Sequence, residues 1–278
     1  MKSEMKYVFV IPFKKELVEK TRGFKVAVRA AEAGEIDRIS ASVSPKALHC
    51  IELVGESLAG VEIKKEWRKL PLVFRLEKAG PLLDIIPSLP GLSGSMARFY
   101  FPATRENITS ARVLSSLMVK TGLLIGEETS EWEALEDLLA YDSCGKVAHS
   151  AVEPFLRVYT GYKSLHDGYD ELYLDREGVF FHCDESGNVA LSREALRKKD
   201  CIGSLDDLPG LDLDGRALAA RVERRLPLAK FEGCAVCRAW RVCAVRKSEK
   251  DRPCPRKKFM TALLEAAEEV NRNADDNI

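Results

Sequence analysis

The stretch from Cys234 to Cys254, CAVCRAWRVCAVRKSEKDRPC, holds four of the eight cysteines within twenty-one residues, at the spacing C-x2-C-x5-C-x10-C. Cys234 and Cys237 can reach one centre from a single turn, Cys243 returns after a short excursion, and Cys254 closes the shell. Simple core packing does not require four thiols so close together. A disulfide framework is disfavoured because the chain is long and opens on a charged MKSEMK with no signal-peptide pattern. The thiols are expected to be reduced, and four thiolates at this spacing suit either one [4Fe-4S] cluster or one tetrahedral zinc.

Other compositional features bound the function classes. Forty-three basic residues balance forty-three acidic ones, so no global field selects nucleic acid or an anionic membrane. No apolar run approaches the roughly 20 residues of a membrane-spanning helix, which makes a cytoplasmic protein the expectation. At 278 residues and 46% hydrophobic, the chain can bury one large core or two modest ones. No P-loop, dinucleotide-binding fingerprint or nucleophile elbow is present. His49, His149, His166 and His182 are scattered, and none is expected to act as a catalytic base. Glu127 and Glu128 need no role beyond leading into a helix.

Before the cysteines, the pattern alternates between strand and helix. Residues 7–11 (YVFVI) form an apolar run fit for a strand buried on both faces, ended by Pro12. Residues 15–33 are expected to contain a helix, 36–43 a strand and 45–58 a helix. Further strands are expected over 72–76, 96–101, 123–125 and 155–159, with only short turns in the proline-rich 81–90. Asn107 is expected to cap a helix bearing Ala111, Leu114, Leu117 and Met118 and closed by Gly122. Ser130 and Glu133 suggest a capping box for a helix with Trp132, Leu135, Leu138 and Leu139 on its apolar face. Such alternation indicates an α/β fold with parallel strands, six units of which make a partial (β/α)6 barrel. A boundary is expected near 161–170, giving domains 1–165 and 166–278. The second should hold a β-hairpin turning at 176–178 and a C-terminal helix over 257–273. Phe259, Ala262, Leu263, Ala266, Ala267 and Val270 should form that helix's buried face.

The order of motifs in the second half carries a resemblance. Gly178 and Cys183 form G-x4-C within YLDREGVFFHC, Ile202 to Leu205 form a turn of the "iGnl" kind, and the cysteine run follows. This order resembles the SPASM domain, the auxiliary iron-sulfur domain of many radical SAM enzymes that modify peptides. A full domain binds two clusters. The first would need a cysteine upstream of the glycine, where this chain has His166, and a fourth cysteine in C-x2-C-x5-C-x3-C, where it has Lys247. The resemblance therefore implies one [4Fe-4S] cluster on Cys234, Cys237, Cys243 and Cys254, with Cys183 a remnant.

It also implies that the preceding region is a degenerate radical SAM-like barrel. The C-x3-C-x2-C motif that binds the SAM-cleaving cluster is missing, since the only cysteine before Cys144 is Cys50. No catalytic residue is assigned. The chain most resembles the stand-alone SPASM-domain protein of GeoRSP-type peptide-modification systems. That likeness implies an accessory role in maturing a ribosomally made peptide, by docking or electron relay. The implied partners are a radical SAM/SPASM enzyme, a PqqD-like protein or the precursor peptide. Arg238, Arg241, Arg246, Lys247, Lys250, Arg252, Arg256, Lys257 and Lys258 flank the cysteines, as either a solvated basic face or a docking surface for an acidic partner. Two alternatives stand beside this reading: a zinc-binding module whose basic flank contacts nucleic acid, and an independent iron-sulfur redox enzyme.

Overall fold

The computed structural model describes residues 7–126, 129–144, 148–161, 179–230, 232–241, 243 and 254–275. The strands are β1 (Val8–Pro12), β2 (Lys25–Ala30), β3 (Leu48–Ser57), β4 (Leu72–Lys78), β5 (Arg98–Pro102), β6 (Thr121–Leu124), β7 (Phe180–Cys183), β8 (Asn188–Ala190) and β9 (Gly203–Ser204). The first helices are α1 (Lys15–Lys20), α2 (Ile36–Ser42), α3 (Leu82–Ile85), α4 (Leu89–Ser93), α5 (Arg105–Ser116), α6 (Trp132–Cys144) and α7 (Phe155–Gly161). They are followed by α8 (Arg193–Arg197), α9 (Leu213–Lys230), α10 (Glu232–Ala235) and α11 (Lys257–Asp275). Two compact units interleave along the chain: Met1–Val54 with Leu70–Val73 and Tyr173–Arg225, and Gly55–Lys69 with Phe74–Leu172 and Leu226–Ile278.

In the first unit the strand order is β3-β2-β1-β7-β8-β9. β1 pairs in parallel with β2 and β7, and β2 with β3, whereas β7-β8 and β8-β9 are antiparallel. The centre of β1 is buried on both faces, as its continuous apolar run requires. Phe9 stacks on Phe181 and meets Phe24 edge-on, and Arg38 of α2 lies over the ring of Phe13. Successive strand residues point to opposite faces. Val10 therefore shares the other face with its register partners Ala27 and His182.

The second unit contains parallel β5 and β6 and a helical layer in which α11 packs on α6 and α7, and α5 on α6. Its apolar centre includes Phe155, Phe259 and Trp132, whose rings lie within 6.1 Å of one another along the chain of contacts through Phe259. Phe74 stacks on Phe99 at 5.1 Å.

Several expected elements change type. Residues 36–43 are helical in α2 because Ile36 and Ile39, one turn apart, both bury completely. The strand lies earlier, in β2, over the KVAV segment expected within a helical stretch. Residues 45–58 are chiefly strand β3, with Cys50 to Leu53 buried without a helical gap. Residues 155–159 belong to helix α7, where Phe155, Val158 and Tyr159 recur at helical spacing against α11. The strands over 72–76, 96–101 and 123–125 correspond to β4, β5 and β6, and the proline-rich 81–90 folds as short helical turns.

Caps move as well. Thr104, not Asn107, caps α5, accepting the amide of Asn107. Asn107 is buried, where its Oδ1 accepts from Ala79 N at 3.2 Å and its Nδ2 donates to Glu77 O and Pro102 O at 3.0 Å. The helix ends before Gly122: Met118 takes a left-handed φ of 62° and Val119 N reaches back to Leu114 O at 3.0 Å. Leu117 and Met118 are consequently exposed, and Gly122 lies inside β6. Trp132, Leu135, Leu138 and Leu139 do form the buried face of α6. Ser130 Oγ lies 3.4 Å from Glu131 Oε1, its immediate neighbour, in place of a capping-box partner. The hairpin turn expected at 176–178 lies outside the described residues, and a tight turn at 184–187 joins β7 to β8. α11 follows the expected C-terminal helix, with Phe259, Leu263 and Ala267 buried but Val270 exposed.

Candidate metal centre

Cys234, Cys237, Cys243 and Cys254 are of intermediate burial, all in the second unit. Cys234 lies in α10, and Cys237 N donates to Cys234 O at 3.1 Å, so the first pair sits on one turn. A 3-10 helix, Arg238–Arg241, follows and packs on α11. Cys243 N continues that coil with a 2.9 Å bond to Ala239 O, and Cys254 O accepts from Lys257 N at 3.2 Å at the head of α11. Among the described residues, no group of three or more His, Cys, Asp or Glu side chains is disposed to hold a metal ion. The donor set suits thiolate chemistry, but among the described residues its four members are not gathered into a ligating shell.

The basic flank is only partly a solvated face. Arg256 is buried and lies 5.7 Å over the ring of Trp132. Lys258 is exposed yet pairs with Glu136 of α6, and Arg238 reaches Glu268 at 3.4 Å and Glu265 at 3.9 Å on α11. These contacts tie the residues around the cysteines to the helical layer. Arg246, Lys247, Lys250 and Arg252 lie outside the described residues, as do Gly178, His166, Glu127 and Glu128.

Cys183, the expected remnant, ends β7 fully buried, and burial pushes its thiol up to about 12. The turn spanning Ile202 to Leu205 contains β9, paired to β8 through Val189 and Gly203. Of the histidines, His182 is buried on β7, His49 lies edge-on to Phe180, and His149 stands 3.5 Å from Asp142. Burial raises the Asp142 carboxyl above its ordinary range, against the opposing effect of the Val152 amide it accepts.

A buried charged network emerges that spacing did not reveal. Arg29 of β2 and Glu52 of β3 are register partners, and Arg193 of α8 donates to Glu52 Oε1 at 2.5 Å. Arg29 also donates to the carbonyl of Cys183. Burial, followed by the nearby Arg193 charge, lowers the Arg29 guanidinium. By strand alternation Arg29 and Glu52 share the face of Val10 and His182. The available signal was a charge inside each apolar strand run, KVAVRA and CIELV.

In the second unit Glu153 is the corresponding buried acid. Its Oε2 accepts from Tyr100 Oη at 2.7 Å and Arg157 Nε at 2.8 Å. Burial, then the Glu153 charge, drives the Tyr100 phenol well above its ordinary range. No helix among the described residues is long and apolar enough to cross a membrane.

No family model matches the chain. No curated protein matches it by sequence. Among solved structures the chain is similar to that of a hexahistidine-tagged anSMEcpe with bound AdoMet, with a TM-score of 0.60 and 10% sequence identity. The alignment covers 98% of this chain and 96% of that one. At this identity the likeness shows the fold alone: a mixed α/β fold with a mostly parallel sheet, similar to that of the anSMEcpe structure.

Proposed function

We propose that this chain is an iron-sulfur accessory protein that partners a radical SAM enzyme in modifying a ribosomally made peptide, by docking or electron relay. The observation that carries the reading is the connection between β1 and α1. In a radical SAM-like fold, this is where the three-cysteine motif is expected. Here β1 passes to α1 through Phe13 and Lys14 alone, and the first cysteine, Cys50, is buried in β3. The sheet face behind that connection carries the Arg29, Glu52 and Arg193 network, with the buried Cys50 two residues before Glu52. The fold of the catalytic family is kept while its cluster motif is absent, which favours a role beside an enzyme over a role as one.

Cys234, Cys237, Cys243 and Cys254 would hold a [4Fe-4S] cluster. Ligation itself supplies free energy that draws thiolates together, so a donor set on neighbouring elements can close around its metal. When bound, such a cluster supplies one-electron transfer. The chain's own residues would set its surroundings: Arg238 is anchored by Glu265 and Glu268, and Arg256 by Trp132. Nearby cations favour a net negative thiolate-bound cluster.

Two measurements test the role. Supplied with S-adenosylmethionine and a strong reductant, the protein should give no 5′-deoxyadenosine above a protein-free control, and production would overturn the accessory reading. An anaerobic pull-down against a radical SAM/SPASM enzyme encoded beside this chain should retain both proteins. It should weaken when Arg246, Lys247, Lys250 and Arg252 are reversed to glutamate; failure to retain the enzyme would remove it as the partner.

A further inference from the structure

A cavity of about 350 Å³ opens in the first unit between α1, the turn after it and the segment that leaves α2. Lys15, Val18 and Glu19 line it from one face of α1, at the three- and four-residue spacing of a helix, and Arg22 lines it from the turn. Val26 and Val43 are buried and Phe24 and Ala47 half-buried, so the depth of the cavity is apolar, whereas Lys15, Glu19 and Arg22 are exposed at its rim. Phe24 is braced edge-on by Phe9 at 5.0 Å, and Val26 N donates to Ala47 O at 2.8 Å.

The hydroxyls that line the cavity are engaged locally. Thr21 Oγ1 donates to Leu17 O at 2.9 Å, Ser42 Oγ donates to Arg38 O at 2.7 Å, and Ser44 Oγ accepts from Ala47 N at 3.3 Å. Recognition of a charged group therefore falls to the rim. Among the described residues Lys15 and Arg22 form no ion pair, in contrast to Lys20, which Glu16 and Asp206 hold at 3.3 Å and 2.8 Å. Glu19 is the acid that lines the cavity beside them, so the rim sets two cations against one carboxylate above an apolar depth.

We infer that this cavity binds the C-terminal residue of a peptide, its apolar side chain against Phe24, Val26 and Val43 and its free α-carboxylate between Lys15 and Arg22. The volume is near the low end of the about 300–1,000 Å³ usual for small-ligand pockets, which suits one residue rather than a folded surface. A chain end carries an apolar group and a carboxylate on the same Cα, the combination that an apolar depth beneath two cations accepts. Charge-assisted hydrogen bonds from guanidinium and ammonium give the carboxylate its hold. An internal Asp or Glu fits less well, because it brings flanking peptide groups into a depth whose hydroxyls are already engaged. The cavity belongs to the first unit and the cysteines to the second, and the inference goes beyond the accessory reading without drawing on it.

The test uses the full chain and a short Gly/Ser peptide ending in leucine, labelled with fluorescein at its N-terminus and followed by anisotropy. Binding should be measurable at low salt and weaken toward about 0.15 M salt. Amidation of the peptide's C-terminus, which leaves the protein untouched, should raise the dissociation constant at least about tenfold. Lys15→Gln with Arg22→Gln should do the same with the fold intact by circular dichroism, while Lys46→Gln with Lys65→Gln, at exposed sites outside the cavity, should change it by less than about twofold. Ala47→Leu keeps both cations but fills the apolar depth, and should also weaken binding. No binding at low salt, equal affinity for the free and amidated peptides, or unchanged affinity in Ala47→Leu overturns the inference. Tighter binding of an amidated peptide with an internal glutamate overturns the choice of a chain end. None of these outcomes depends on whether the cysteines bind iron, so the cavity and the accessory role can fail separately.

Discussion

Arg193, the first residue of α8, donates to Oε1 of Glu52, a carboxylate in β3 with no solvent exposure, at 2.5 Å. The two residues are 141 positions apart, and their contact fastens the late strands of the first unit to its early ones. A fully buried carboxylate deprived of a partner retains its desolvation cost. Arg193→Met is therefore expected to destabilise the protein by about 3 kcal/mol. Urea denaturation should show a lowered midpoint with little change in slope. A midpoint within error of wild type would mean that Arg29 alone neutralises Glu52.

Cys183 offers a chemical readout of the same unit. Its thiol is buried and raised to about 12, so at neutral pH it is protonated and shielded. Iodoacetamide should label exposed Cys144 and Cys201 well before Cys183, which should react only when urea unfolds the chain. The linkage has a definite sign: the raised value means the folded state holds the thiol proton more tightly than the unfolded chain. The associated stability is complete below the ordinary thiol range and is lost as pH rises through about 12. Cys183→Ala should lack that alkaline component, and labelling of Cys183 at the rate of Cys144 would contradict its burial.

Gly122 is tested by its smallest extension. Its missing Cβ would lie 2.5 Å from Tyr100 Cε1 and 3.2 Å from Glu153 Cβ. Both neighbours are buried and joined by a hydrogen bond, which limits their freedom to move. Gly122→Ala should cost about 1–3 kcal/mol by thermal or urea denaturation. An unchanged stability would show that the Tyr100 ring can yield.

The class of fold was legible where a segment's burial matched its pattern, as in β1, β5 and the apolar face of α6. Misreadings fell on segments whose apolar residues suit either period. Ile36, Ile39 and Val43 read as a strand until the helix places the first two a turn apart, and Phe155, Val158 and Tyr159 read as a strand until α11 is there to receive them. The cysteine spacing suggested a donor set, but sequence separation does not determine how far four side chains stand from one another. The Arg29, Glu52 and Arg193 network was hidden for a related reason: its members come from β2, β3 and α8, and only the parallel register brings them together.

Metal analysis after anaerobic reconstitution tests the cysteine site most directly. If Cys234, Cys237, Cys243 and Cys254 bind one [4Fe-4S] cluster, the protein should carry about four irons and four sulfides per chain, with broad absorption near 400 nm. Alanine at any one of the four should lower that content and loosen α11, whose head adjoins Cys254. One tightly held zinc with no sulfide, or full iron loading in a variant lacking all four cysteines, would contradict the assignment.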